Sequence, residues 1–143
     1  MKTLAKFAAG SAAVLLSLGA QAATPGKAID QKIEQCSQKA MSTLDSESCL
    51  QQGYAEWDKE LNVQYQALLK GQAAGVKKSI VQSQRDWLTY QKSYFTALDN
   101  FYRQQQGTVW GLVDAQAKLD FIRNKAIELN ILRGSLDVSG GNG

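Results

Sequence analysis

The sequence contains no histidine, one proline and two cysteines among its 143 residues. Without histidine the chain lacks the commonest general base and the commonest zinc ligand, which excludes the Ser-His-Asp and Cys-His types of catalysis. The proline, Pro25, lies near the start, so no later proline interrupts a helix. Valine, isoleucine and threonine are sparse beside glutamine, alanine, leucine and lysine, and this balance favours helix over strand.

The first residues have the order of a secretory signal peptide. Lys2 and Lys6 form a basic start, residues 8–18 are apolar and uncharged, and residues 20–22 read Ala-Gln-Ala, the form of a cleavage site. The apolar run is too short for a membrane span, which needs about 20 apolar residues. We therefore predict a signal peptide over residues 1–22 and a periplasmic or secreted protein that does not insert into a membrane.

The net charge argues against some classes of partner. It is +3 for the whole chain and falls to +1 once Lys2 and Lys6 leave with the signal peptide. A nearly neutral domain is a poor candidate for nucleic acid, which requires a basic surface. It also has little attraction to anionic membranes.

The two cysteines, Cys36 and Cys49, both lie after the predicted cleavage site. In an exported protein an even pair of cysteines predicts a disulfide. Such a bond makes both thiols unavailable as nucleophiles or metal ligands. The sequence therefore predicts no catalytic residues, no metal site and no cofactor, and we expect the protein not to be an enzyme.

Apolar side chains recur at helical spacing in four segments. The first holds Ile29, Ile33 and Cys36, the second begins near Ser46, and residues 133–134 (Arg-Gly) predict the end of the fourth. We predict an all-α fold, an antiparallel bundle of three long helices with a short N-terminal helix across one end, tied by one disulfide. The helical domain covers residues 23–134, and residues 135–143 form a flexible tail.

Aromatic residues on these stripes are predicted to form core. They are Trp57, Trp87, Tyr54, Tyr65, Tyr94 and Phe101. Trp110 differs, because it follows Gly107 and precedes Gly111 at the start of a predicted helix. Two interpretations of Trp110 stay open, namely core packing and a partly exposed aromatic at one end of the bundle.

A series of short motifs runs through the chain. They are Cys36, Cys49-Leu50, Glu60-Leu61-Asn62-x-x-Tyr65, Ser83-Gln84-Arg85-Asp86-Trp87-Leu88-x-Tyr90, and Arg123 with Leu129. Together they resemble the LprI-type lysozyme inhibitor N-terminal domain family over about residues 36–132. The resemblance implies an exported helical bacterial domain, in a family named after a mycobacterial member that inhibits lysozyme. Members commonly carry two more cysteines, whose positions fall near Tyr94 and Ala115, and both are absent here.

The polar motif residues have two interpretations. Asn62, Gln84, Gln91 and Arg123 lie on or beside the buried stripes, and a buried amide or guanidinium must find partners. We predict a polar network that joins the three long helices, with Glu60 paired to an arginine at its margin. The alternative is a polar patch in a cleft that holds a ligand. The motif residues are Glu60, Leu61, Asn62, Tyr65, Gln84, Arg85, Trp87, Tyr90 and Arg123.

Acidic residues concentrate in residues 45–60, and lysines follow at the next turn. Complementarity with the helix dipoles explains the first acids of the helix but not Lys77 and Lys78, which lie at a helix start. The other explanation is an acidic end of the bundle that binds a basic partner. The candidate partner-binding residues are Asp45, Glu47, Glu56, Asp58 and Trp110.

These observations lead to two functional hypotheses. The first is an exported periplasmic binding protein that inhibits lysozyme through its surface. The alternative is a structural or assembly factor of the envelope with an unknown protein partner. Catalysis would have only carboxylates to work with, such as Glu56 and Glu60 on one helix face, and such pairs are usually solvated surface.

Overall fold

A computed structural model describes residues 25–139 of the protein. Within this range the chain forms four helices and no strand, which confirms the all-α prediction. The helices are α1 (Lys27–Ser37), α2 (Thr43–Leu69), α3 (Ala74–Arg103) and α4 (Val109–Ser139). None of these helices is both long and apolar enough to cross a membrane. The predicted signal peptide lies outside the described residues.

The start of α2 is set by local hydrogen bonds rather than by its apolar stripe. Ser42 is the N-cap, and its hydroxyl accepts a hydrogen bond from the Asp45 backbone N–H at 3.1 Å. The carboxylate of Asp45 in turn accepts from the backbone N–H of Met41 at 3.2 Å. This reciprocal arrangement satisfies free N–H groups of the first turn. The helix therefore begins at Thr43, earlier than the predicted start near Ser46.

The core lies between α2 and α4, which run parallel to each other. Glu47 lies beside Gly111 at one end of the pair, and Gln64 is bonded to Arg133 toward the other. Both helices contribute leucines to this interface, and Trp57 and Ile122 at its centre are fully buried. The buried apolar cluster is Leu50, Trp57, Leu61, Leu68, Leu119, Ile122, Ala126 and Leu129.

Helix α3 runs antiparallel to α2 and α4 and is much more exposed. Gln84 is the one residue of α3 that is buried. Phe101, which is predicted to form core, is 60% exposed, and Val76 near the other end of the helix is 47% exposed. The prediction for Phe101 is wrong because the rings of α3 that pack on Phe121 of α4 lie between these two ends, at positions 87–95.

Helix α1 lies along the first half of α2, in the opposite direction. The Cys36–Cys49 disulfide joins the two helices at one end of this contact, which confirms the predicted bond. Ile33 lies over Gly53, where a Cβ atom would come within 2.4 Å of the Ile33 side chain. The predicted packing across one end of the bundle is therefore wrong, because Gly53 leaves room for α1 beside α2.

Helix α4 continues past the predicted end at Arg133 and Gly134. A glycine ends a helix when it adopts a left-handed backbone, as Gly71 does after α2 with φ 75°. Gly134 does not adopt a positive φ, so the helix continues to Ser139. Residues 135–139 thus belong to α4, and residues 140–143 lie outside the described range.

Candidate functional site

The two longest motifs face each other across an open cleft between α2 and α3. The first motif contributes Leu61, Asn62 and Tyr65, and the second contributes Gln84, Arg85, Trp87 and Leu88. The cleft has a volume of about 450 Å³, and we call it the motif cleft. Its lining is Asp58, Leu61, Asn62, Tyr65, Val81, Gln84, Arg85, Trp87 and Leu88.

The predicted polar network through Asn62 does not form. Asn62 is exposed, and its side-chain amide donates to the backbone carbonyl of Asp58 in its own helix at 2.9 Å. Glu60 accepts a hydrogen bond from Gln64 at 2.6 Å and contacts neither Arg85 nor Arg123 as an ion pair. The prediction is wrong for these two residues, because the open cleft separates Asn62 from α3 and Arg123 is bonded to α1 instead. Gln91 does join α3 to α2, since its amide donates to the Tyr54 hydroxyl at 3.1 Å.

Arg123 instead joins α4 to α1. Its guanidinium donates two hydrogen bonds to Asp30 Oδ2 and one to Oδ1, with the shortest at 2.7 Å. The indole N–H of Trp57 donates to the same carboxylate at 3.0 Å. These hydrogen bonds, first of all those from Arg123, hold the pKa of Asp30 below its ordinary value. Asp30 is not among the residues predicted from the sequence, although its position beside Ile29 on a short amphipathic helix was a signal.

Trp87 is half-buried and held in place by aromatic packing. Its ring stacks on Phe121 of α4, with the ring centroids 5.3 Å apart. Tyr90, Tyr94 and Phe95 surround the same phenylalanine, with centroids 5.3 to 5.7 Å away. Tyr90 is nevertheless 55% exposed. The aromatic motif residues of α3 therefore pack on α4 at the margin of the bundle rather than in its core.

The acidic residues of α2 do not form one end of the bundle. Residues 45–60 span about 22 Å along the helix at 1.5 Å per residue. Glu56 lines a groove shared with α1, whereas Asp58 lines the motif cleft on the α3 side. Asp45 caps the helix, and Glu56 forms an ion pair with Lys59 at 2.9 Å. The helix period thus distributes the acids over opposite sides of α2.

Glu47 lies in a second cleft, which the structure builds from three helices. Lys118 of α4 is bonded there to Asp114 at 2.6 Å and to Asp99 of α3. Burial lowers the pKa of Lys118, but the hydrogen bonds to Asp114 and Asp99 outweigh it and raise that pKa above its ordinary value. We call this space, of about 280 Å³, the Lys118 cleft. Its lining is Glu47, Gln51, Tyr54, Phe95, Asp99, Asp114, Ala115 and Lys118.

Sequence reasoning missed the three charged residues at the centre of the Lys118 cleft. The i,i+4 spacing of Asp114 and Lys118 on a predicted helix was an available signal. No local pattern indicates Asp99, because only the antiparallel packing of α3 brings it to Lys118. Within residues 25–139, no three acidic or cysteine side chains lie close enough together to hold a metal ion.

Trp110 lies at the end of the bundle where α2 and α4 begin. It is half-buried, its indole N–H donates to the Gln106 carbonyl at 3.0 Å, and its ring stacks on Tyr102 with centroids 5.9 Å apart. The residue after it, Gly111, lies against the Glu47 carboxylate. Of the candidate partner-binding residues, Glu47 and Trp110 therefore share one end of the bundle.

The sequence matches the family described as lysozyme inhibitor LprI over residues 34–129. The chain belongs to the LprI family. The matched range runs from α1 into α4, and contains the disulfide and both walls of the motif cleft.

A crystal structure of an uncharacterised protein from Burkholderia thailandensis is similar to this LprI-family chain. The TM-score is 0.70 at 27% sequence identity, and the match covers 75% of this chain and 54% of the other. The chain thus spans about half the length of that protein. None of the curated proteins matches the sequence.

Proposed function

We propose that the protein is an exported inhibitor of lysozyme that acts by binding and not by catalysis. Membership of the LprI family carries this proposal. We place the contact at the Lys118 cleft, because three carboxylates there outnumber one lysine. c-type lysozymes are basic proteins, so an acidic cleft offers them charge complementarity.

The end of the bundle around this cleft provides more than charge. Glu47 stands beside Gly111 at the start of α4, and Trp110 and Tyr102 form a stacked aromatic pair at the same end. Aromatic residues supply a large share of the binding free energy in protein interfaces, while rim charges mainly raise the association rate. We therefore assign binding to Glu47, Asp99 and Trp110, and leave Glu56 and Asp58 outside the contact.

The test is the lysis of a peptidoglycan suspension by a c-type lysozyme, with and without the mature protein. The double variant Glu47→Gln/Asp99→Asn should weaken inhibition by roughly tenfold, an effect of about 1.4 kcal/mol. Glu56→Gln/Glu60→Gln is the matched control, because it makes the same charge change on the other side of α2. Inhibition should also weaken as salt rises, since exposed charges are screened over about 8 Å at physiological ionic strength.

Equal losses in the two double variants would show that net charge matters and the Lys118 cleft does not. Absence of inhibition by the unmodified protein at low salt would reject the inhibitor function. The envelope assembly role would then be the better hypothesis.

We also propose that the protein reaches the periplasm through cleavage after Ala22. The order of the first 22 residues and a disulfide suited to an oxidising compartment support this. Mass spectrometry of the periplasmic fraction should find a chain that begins at Ala23. A membrane-bound chain that retains Met1 would contradict it.

A further inference from the structure

The motif cleft contains polar side chains that have no hydrogen-bond partner among residues 25–139. Gln84 is only 8% exposed, yet its amide makes no hydrogen bond with any described residue. The indole N–H of Trp87 and the hydroxyl of Tyr65 also lack a partner between residues 25 and 139, whereas the indoles of Trp57 and Trp110 both have one. Solvent reaches these polar groups through the open cleft, because Asp114 Oδ1 is the one fully buried side-chain polar atom without a partner among the described residues. They are therefore free to form hydrogen bonds with a ligand in the motif cleft.

The cleft carries one charge of each sign. Asp58 and Arg85 line it without forming an ion pair with each other. A nearly neutral site has no general attraction for a basic protein or for a polyanion. Its volume of about 450 Å³ lies within the range of small-ligand sites, roughly 300–1,000 Å³. The size and charge of the motif cleft therefore fit a small, uncharged, polar ligand.

The lining also indicates the chemistry of that ligand. Six of the nine lining residues carry polar side-chain atoms, and Leu61, Val81 and Leu88 complete the surface with apolar groups. Gln84 offers a donor and an acceptor side by side, which matches an amide group, and Arg85 offers several donors to hydroxyl oxygens. Rings such as that of Tyr65 present an apolar face together with a polar atom.

An N-acetylated amino sugar presents these groups together, since it has an acetamido group, hydroxyls and an apolar C–H face. A peptide also presents amide groups, but the recurring modes of peptide binding use a sheet edge, a row of apolar pockets, a proline groove or an arginine cluster. Residues 25–139 form no sheet, and polar atoms of six of the nine lining residues interrupt the apolar surface of the motif cleft, which has one arginine. We propose that the motif cleft binds N-acetylated amino-sugar chains, with the acetamido group at Gln84.

Trp87 gives the test a direct signal. Its ring is fixed against Phe121, so a ligand in the cleft should shift the indole N–H resonance of Trp87 in two-dimensional NMR spectra. We use N,N′,N″-triacetylchitotriose as the probe, cellotriose as the same sugar chain without acetamido groups, and trialanine as the peptide. Binding of the chitotriose should be at least tenfold tighter than binding of the other two.

Two variants test the assignment of residues. Gln84→Leu replaces the unpartnered amide with an apolar side chain of similar size. Arg85→Ala changes an exposed residue and should leave the fold intact. Each should weaken chitotriose binding by roughly tenfold. Gln82→Leu is the matched control, because Gln82 is an exposed glutamine of α3 that does not line the cleft. The affinity of this variant for chitotriose should be unchanged.

Three results would overturn the proposal. The first is no shift of the Trp87 signal at tens of millimolar chitotriose. The second is an unchanged affinity for chitotriose in both single variants, Gln84→Leu and Arg85→Ala. The third is tighter binding of trialanine, which would make the motif cleft a peptide site. None of them bears on lysozyme inhibition, which we assign to the Lys118 cleft.

Discussion

Helix α2 meets its two long neighbours in opposite ways. Toward α4 it forms a dry interface in which Trp57, Ile122 and Ala126 are fully buried. Toward α3, to which a short turn connects it, it leaves the motif cleft open. The difference shows that the helix next in sequence is not the main packing partner of α2, and that the closest contact is made with the helix that returns in parallel.

Side-chain size and polarity explain this difference. Ala126 is small and lets α4 approach α2 closely, because the distance between helix axes depends on the side chains at the contact. Helix α3 presents bulky rings to Phe121 and carries two glutamines, Gln84 and Gln91, on its inner stripe. Gln91 reaches Tyr54 with one hydrogen bond at 3.1 Å, and Gln84 reaches no partner among the described residues.

The largest effect on stability is expected at Trp57, and the same substitution at Trp87 serves as the comparison. Trp57→Ala should lower the free energy of unfolding by about 3–5 kcal/mol, because it leaves a large cavity between α2 and α4. Trp87→Ala should cost less, about 1–3 kcal/mol, since Trp87 is half-buried at the margin. Urea unfolding followed by circular dichroism measures both values. Equal costs would mean that α3 is packed as tightly as α4.

The disulfide should have the next largest effect. Cys36→Ser/Cys49→Ser removes a cross-link between residues 13 apart and should lower stability by about 3 kcal/mol in the chain-entropy model. The measurement is thermal unfolding of the variant beside the oxidised protein. Reduction of the unmodified protein by dithiothreitol serves as the control and should give a similar loss. No change on reduction would show that α1 is held by its side chains alone.

Asp30→Asn tests how α1 is joined to α4. The pair with Arg123 is about one-third exposed, so solvent screening limits the expected loss to about 1 kcal/mol at neutral pH. The pKa of Asp30 is lowered in the folded state, so the unfolded chain binds more protons as the pH falls below about 4. The contribution is therefore complete above the ordinary pKa and is lost as the pH falls through the folded-state value.

Urea unfolding of the unmodified protein and of Asp30→Asn between pH 7 and pH 3 measures this contribution. The difference in stability between them should be constant near neutral pH and should shrink in acid. Asp86→Asn is a suitable control, because Asp86 is an exposed acid of α3 that accepts a hydrogen bond from Gln82 of its own helix. A difference that stays constant down to pH 3 would mean that Asp30 does not act through its charge.

The smallest effect is expected at Asn62. Its side chain is exposed and bonds only within α2, so Asn62→Leu should change the free energy of unfolding by no more than about 0.5 kcal/mol. Chemical denaturation resolves such a difference when both proteins are measured side by side. A loss of several kcal/mol would show that Asn62 belongs to a buried network, and that α2 and α3 are closer than the open cleft allows.

Much of the architecture follows from patterns within single segments. The period of Leu50, Trp57, Leu61 and Leu68 predicts α2 and its buried face, and the cysteine pair predicts its link to α1. These predictions succeed because a helix converts spacing along the chain into a face, whatever surrounds it. The stripe of α3 misleads at its two ends, because Val76 and Phe101 lie outside positions 87–95, whose rings pack on Phe121 of α4.

The clefts depend on how helices are arranged in space, which no single segment encodes. Asp99 meets Lys118, and Asp30 meets Arg123 across 93 residues, because α3 and α1 run antiparallel beside α4 and α2. The motif residues were recognisable in the sequence, but their position on two facing walls was not. Spacing along a helix predicts which side chains share a face, whereas the distance between two faces depends on the size of every side chain packed between them.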